Sequence, residues 1–452
     1  MTTHRSRRPR RPRRLRTLRT ARTARTARTK TASRTAALAA VLLAVSAASA
    51  GCADPAPPGG PPHRAAARPG PSPGAATARP GNGARPPGPR PFTLVATGDV
   101  LPHGSIIDQA HKDAGGKGHD FRPMLSGVKP VIAGADLAIC HMETIYAEDA
   151  GPFTGYPAFK SPPQIATALA ATGYDSCSTA SNHTLDDGTA GLGRTLDALD
   201  KAGVRHAGSA RTAAEAARPT LLKAGGATVA HLAYTYGVNK ENVPEDRPWT
   251  VNITDPEKIV TAARAARKAG ADLVVVSMHW GTEWQEEIDV DQRDLAEILT
   301  GSTDESGAGA TTGATTGSAA GPASGARPDI DLIIGTHTHV PQAYEKVNGT
   351  WVVYGMGDQI AGDMINNDGV PDPRGNQGSI GRFTFTPPTA PGARWTVSRA
   401  EFLPQWFDTA TGRATLVGAA IRRGEPLTAV RDTIAGAVLS RGAAEDGLVM
   451  GN

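Results

Sequence analysis

The chain has 452 residues and three Cys, with forty-eight Lys and Arg against forty-three Asp and Glu, a formal net charge of +5. The excess of base is local: residues 1–35 hold fourteen Arg and Lys and no acid, and without them thirty-four bases face forty-three acids, near −9. Overall charge is therefore no argument for a nucleic-acid partner, and three Cys argue against a disulfide framework, while their lack of close paired spacing argues against a zinc-binding Cys cluster.

The basic run leads into the apolar stretch Ala36–Ala50, which reads as the n- and h-regions of a signal peptide and is short for a transmembrane helix. It ends at Ser49-Ala50-Gly51-Cys52, similar to a lipoprotein signal-peptidase site at which Cys52 would be acylated, although Ser49 stands where Leu is usual. Residues 1–52 are thus expected to deliver the rest of the chain to an extracytoplasmic position, anchored at the membrane by a lipid or by the signal segment itself, or secreted. Residues 53–91, rich in Pro, Gly, Ala and Arg without apolar periodicity, are expected to form a disordered spacer.

From Phe92 the pattern changes. Short β-branched runs at Phe92–Thr97, Ala135–Cys140, Ala271–Ser277 and Asp331–Gly335 predict buried strands. Pro162–Ala171, Gly188–Ala202, Asp255–Ala269 and Val290–Leu299 predict helices between them, and the alternation predicts a layered α/β domain over residues 92–405. Within it lies a low-complexity Thr, Gly and Ala insert at residues 301–328. Residues 406–452 are expected to be a C-terminal helical extension, following a strand pair from about Arg394 and carrying a helix near Thr428–Leu439. Cys140 and Cys177 fall in strand-like runs and read as buried small hydrophobes, with nothing in the sequence to pair them.

Several strand ends carry metal-ligand side chains: Gly98-Asp99, Met142-Glu143-Thr144, Ser181-Asn182-His183, Met278-His279-Trp280-Gly281 and Gly335-Thr336-His337-Thr338-His339. Loops leaving the carboxyl edge of an α/β sheet line a crevice, so one site could collect them all. Mixed N and O donors suit Mn, Fe, Zn or Mg better than calcium. A His-x-His on an extended segment would point both rings to the same face, so His337 and His339 could share one metal or flank two. His103 reads as a ligand, a substrate contact or a loop residue; Asp186 as a helix cap or the partner that orients His183; Glu283 as a neighbour supporting His279. His141, His206 and His231 read as structural.

In this order, and with Gln342, Glu345 and Tyr354-x-x-Gly357, these motifs resemble the CapA-type capsule-synthesis (poly-gamma-glutamate biosynthesis) family over roughly residues 92–361, a family related to calcineurin-like metallophosphoesterases. The resemblance implies a four-layer α/β/β/α sandwich of metallophosphatase type with a dinuclear metal site. Asp99, Glu143, Asn182, His279, His337 and His339 would hold two divalent ions, and His183 would assist the leaving group. It implies a cell-surface, metal-dependent hydrolase acting on a phosphoester or an anionic extracellular polymer. The alternatives are a non-catalytic polymer-binding component working with capsule synthase subunits, and a wall-associated binding lipoprotein that keeps a degenerate site. Three positions depart from the related patterns: Leu101 stands where metallophosphoesterases carry a His two residues after the first Asp, Glu143 stands for a bridging Asp, and Gly357-Asp358-Gln359 replaces Gly-Asn-Phe. Asp358 either adds an acid to the pocket or caps a turn.

Overall fold

The computed structural model describes residues 88–239, 242–304, 327–390 and 393–451; the leader with Cys52, the spacer up to residue 87, and residues 305–326 of the insert lie outside the described residues. Strands are numbered along the chain. A nine-stranded sheet takes β1 (Phe92–Leu101), β2 (Leu137–Met142), β3 (Ser176–Ser178) and β4 (Arg205–Ala207), then β13 (Asp358–Ala361), β14 (Gln377–Thr386), β15 (Thr396–Asp408), β16 (Arg413–Leu416) and β17 (Leu448–Met450). A six-stranded sheet takes β5 (Thr220–Ala224), β6 (Ala227–Thr235), β7 (Leu273–His279), β10 (Leu332–Thr336), β11 (Tyr344–Val347) and β12 (Thr350–Val353). The two-residue strands β8 (Thr303–Asp304) and β9 (Arg327–Pro328) pair at the neck of the insert.

Within the first sheet β1 to β4 are parallel neighbours, and within the second β6, β7, β10 and β12 are. Their alternate residues divide between two apolar layers. Leu94, Leu137 and Ile139 of one sheet meet Leu273, Val275 and Ile334 of the other in a shared core. On the outer face of the first sheet, Val95, Ala138 and Cys140 pack against α1 (Gly104–Asp113), α2 (Lys129–Ala133), α3 (Gln164–Thr172) and α4 (Gly188–Ala202). On the outer face of the second, Val274, Val276 and Met278 pack against α6 (Pro256–Lys268) and α7 (Val290–Gly301), the short α5 (Ala213–Ala216) lying between β4 and β5 in sequence. Helices, sheet, sheet, helices: this is the expected four-layer α/β/β/α sandwich.

Local chemistry sets the helix ends. Asp255 caps α6 by accepting from the backbone N–H of Glu257 and Lys258, with Pro256 at the first helical position, and Asp289 with Gln292 forms a reciprocal capping box at α7.

Two expectations need correction. The boundary at residue 405 falls inside β15, and the segment beyond it adds strands as well as the helices α8 (Val417–Arg422) and α9 (Thr428–Val438). On the edge of β15 not taken by β14, β17 pairs with Ala400–Phe402 and β16 with Gln405–Asp408, so this segment belongs to the sheet. Cys140 and Cys177 are joined as a disulfide; they lie directly opposite on β2 and β3 with Cα atoms 4.4 Å apart, a proximity set by parallel register and invisible in a separation of 37 residues.

Candidate metal centre

Strict alternation along β1 would send Asp99 to the helix-covered face, since Leu94 and Ala96 face the other sheet and Val95 and Val100 face away. The register slips instead: Ala96 lies opposite Ile139 and Asp99 opposite His141, three residues against two. The extra residue is a β-bulge that turns Asp99 toward the space between the sheets. Gly98 allows it, because a Cβ there would sit 1.7 Å from the Gly357 carbonyl oxygen, which accepts the Asp99 N–H at 3.1 Å.

His141 on β2 shares the inward parity of Leu137 and Ile139 and so faces Asp99, its Nε2 3.6 Å from Asp99 Oδ1 and its Nδ1 2.6 Å from Ser178 Oγ. From the second sheet, inward-facing His279 closes β7; its Nε2 is 2.8 Å from Asn182 Oδ1 and 3.9 Å from Glu143 Oε1, and its Nδ1 is 3.1 Å from Thr336 Oγ1. The His141 and His279 rings stack at 4.7 Å. His337 and His339 follow β10 on a strained turn, with φ of +94° and +57°, rather than on the extended segment expected. Such conformations cost about 1–3 kcal/mol each and are found where geometry is dictated by a site. Here they send the His337 N–H to Asp99 Oδ2 at 3.0 Å, its ring to within 4.6 Å of His279, and His339 Nδ1 to 3.0 Å from Asp358 Oδ1 and 3.9 Å from Asp99 Oδ2.

The result is two buried donor groups that share Asp99, one with His141 and His279, the other with His339 and Asp358. The six side chains expected as ligands, Asp99, Glu143, Asn182, His279, His337 and His339, come together around them. His141 was expected to be structural, and its signal was its parity with Leu137 and Ile139. Asp358 pairs with His339, which decides between the two readings of that residue. Of the other histidines, His231 lies between Ser176 and Ser277, and His206 is grouped with Asp200 and Glu215 around the Arg211 guanidinium, which bonds to both acids.

The supporting positions divide. Asp186 is not the cap of α4, a position held by Asp187; its Oδ2 accepts from His183 Nδ1 and from the Phe159 N–H, both at 2.7 Å, so it orients His183. Glu283 does not touch His279, whose two ring nitrogens face Thr336 and Asn182; it is half-buried, and its charge reaches Glu143, Asp358 and Tyr236. His103 lies outside both donor groups, its Nδ1 near the Leu101 carbonyl and the Gly362 N–H and its ring edge-on to Phe159. The segment after β6 was missed entirely. Tyr236 lies over His337 at 4.6 Å, and Asn239 Nδ2 is 3.5 Å from His183 Nε2.

The donor set fits divalent cations by its own chemistry. Asp99 Oδ1, both oxygens of Glu143, Asp358 Oδ2, His141 Nε2 and His337 Nδ1 are all buried without a hydrogen-bond partner, and buried polar atoms are rarely left so. Burial and the charge of Asp358 push Asp99 up to about 8; burial, then Asp99, holds Glu143 well above the usual carboxylate range. Burial and the other imidazoles hold His279 and His337 well below the ordinary value, as neutral ligands require, and burial takes His141 to about 3. Burial opposes charge on His339 too, but Asp358, Glu143 and Asp99 overcome it and raise it well above the ordinary value. Cations would settle the crowded carboxylates without protons.

Comparison with known proteins finds a match over residues 93–316 and 323–363 to the family described as bacterial capsule synthesis protein PGA_cap. The chain is 29% identical over 182 residues to the PGA biosynthesis protein CapA of Bacillus subtilis, covering 40% of this chain and 41% of that protein. It is 27% identical over 242 residues to the "Probable polyglutamine synthesis accessory protein" of Mycobacterium tuberculosis, covering 50% of this chain and 55% of that one. This chain therefore spans about half the length of the curated relatives it matches. Among solved structures, the calcineurin-like phosphoesterase YfkN of Bacillus subtilis superposes with a TM-score of 0.37 at 15% identity, covering 77% of this chain and 98% of that one, a likeness too distant to say anything of chemistry.

Proposed function

This chain belongs to the bacterial capsule synthesis protein family PGA_cap, and from that membership we propose that it is an extracytoplasmic, metal-dependent hydrolase serving capsular poly-gamma-glutamate synthesis. Its substrate in this reading is a phosphoester, or an amide or ester linkage of the anionic polymer. The observation that carries the reading is Asp99 shared by two buried donor groups in which Asp99 Oδ1, His141 Nε2 and Asp358 Oδ2 lack hydrogen-bond partners. Asp99, His141, Glu143, Asn182, His279 and His337 would hold one cation, and Asp99, His339 and Asp358 the other. Two divalent ions, of Mn, Fe, Zn or Mg type, would supply charge neutralisation at the reacting oxygens and a lowered pKa of water. His141, from the neighbouring strand, would add an imidazole to the group that holds Asp99 and His279.

The chain's own proton chemistry centres on His183. Its Nδ1–H is spent on Asp186, which fixes the tautomer and leaves Nε2 to exchange a proton with the departing oxygen. The runner-up, a polymer-guiding assembly component without catalysis, would need a free basic groove. Among the described residues, three flanking cations are already paired: Lys160 with Asp187 at 2.7 Å, Arg194 with Glu148 at 3.2 Å, and Arg374 with Glu286 at 2.8 Å. This favours the hydrolase.

Elemental mass spectrometry of the full chain, with turnover of a generic phosphodiester and of poly-gamma-glutamate measured on the same sample, tests this. Near two divalent ions per chain with turnover is expected. Metal without turnover would transfer the role to the assembly component, and a metal-free active protein would sink the reading.

The extracytoplasmic position rests on the basic leader, on Cys52 and on the Cys140–Cys177 disulfide, since such bonds persist in oxidising compartments. Fractionating cells that express the full chain or Cys52→Ser should find the first with membranes and the second released from them outside the cytoplasm. Both forms in the cytoplasm would refute the placement.

A further inference from the structure

We propose that Tyr236 is a substrate-contacting residue of this centre, its phenol donating a hydrogen bond to an anionic oxygen of the ligand held there; this rests on the metal-site reading above. The residue is held from both ends. Its backbone N–H donates to the His279 carbonyl at 3.1 Å, and its ring lies 4.6 Å from His337 and nearly parallel to His279, 10° at 6.3 Å. Yet it is 49% exposed, whereas the donor residues beneath it are buried, so it forms the open side of the centre.

Asn182, the amide beside the phenol, turns its Oδ1 to His279 Nε2 at 2.8 Å, so this oxygen is already engaged and the phenolic proton is left for a ligand oxygen. An anionic ligand needs such a donor here. Around the cations the protein presents the carboxylates of Asp99, Glu143 and Asp358, which repel ligand oxygens that the metals do not fully neutralise, and the flanking Lys160, Arg194 and Arg374 are engaged elsewhere. Tyr236 and Asn239 bring neutral donors on one short segment, Asn239 with its Nδ2 3.5 Å from His183 Nε2. The bland alternative is a tyrosine that only covers imidazole rings; Phe would serve that purpose as well.

Tyr236→Phe keeps the ring and removes the donor. In the metal-loaded full chain we expect unchanged metal content and melting temperature, with inorganic phosphate bound about ten- to a hundredfold more weakly by calorimetry, the usual range for one hydrogen bond to a charged group. Turnover, where the wild type shows it, should fall by a similar factor. Phosphate affinity within twofold of wild type, no phosphate binding by the metal-loaded wild type, or loss of metal in the variant would each overturn the assignment. A wild type that binds phosphate but turns over no ester or polymer would instead defeat the hydrolase reading, and the affinity difference would still stand.

Discussion

Asp99→Asn is expected to strip both cation positions at once, because Asp99 is the member the two donor groups have in common. Metal content by elemental mass spectrometry should fall to background, while truncating a residue of one group, such as Asp358→Ala, should leave about one ion. Unchanged content in Asp99→Asn would sink the shared-site argument. The fold should survive, since the amide oxygen can still accept the His337 N–H and the bulge is held by Gly98 and the Gly357 carbonyl. Metal-stripped protein offers a second reading of the same residue. With its pKa raised to about 8, Asp99 keeps a proton in the folded state that an unfolded Asp gives up near 4, so its contribution is full below about pH 4 and is lost as pH rises through 8. In chelator the wild type should therefore lose stability between pH 5 and 8 relative to Asp99→Asn, which cannot titrate. Parallel melting curves for the two would show that the carboxyl is not protonated in the folded state.

His183→Gln should lower turnover by about 10²–10⁴-fold with metal content unchanged, the range typical of a lost general acid or base. His183 is absent from both donor groups, and its Nδ1 is occupied by Asp186. Asp186→Asn should reproduce part of the loss, since an amide in place of the carboxylate no longer stabilises charge on the ring, and should narrow the pH range of activity. Equal loss of metal and turnover in His183→Gln would make His183 a ligand. Full activity in Asp186→Asn would return Asp186 to the role of a backbone anchor for Phe159.

Much of this arrangement was legible in the residues. Runs such as Leu273–His279 and Leu332–Thr336 are too short and too β-branched to be helices, the Asp255 and Asp289 caps mark where α6 and α7 begin, and side chains at parallel strand ends must converge on one crevice. The order of Asp99, Glu143, Asn182, His279, His337 and His339 followed from that convergence together with the family resemblance.

What stayed hidden depends on distances across the chain. Period-two alternation would have sent Asp99 away from the other ligands, and only the bulge against β2, permitted where Gly98 meets Gly357, brings it inward beside His141. His141 looked structural because its partner is a register neighbour forty-two residues away. The Cys140–Cys177 bond was hidden for the same reason. Tyr236 carried no metal-ligand signal, and only the tertiary structure brings its ring to 4.6 Å from that of His337. The sequence by itself determined which side chains the protein brings to the carboxyl edges of its strands, because strand length, capping and polarity are local properties. Which of them share Asp99, which orient and which cover were decided only by the tertiary structure, because register, bulges and positive-φ turns set contacts at ångström scale between segments that local pattern does not relate.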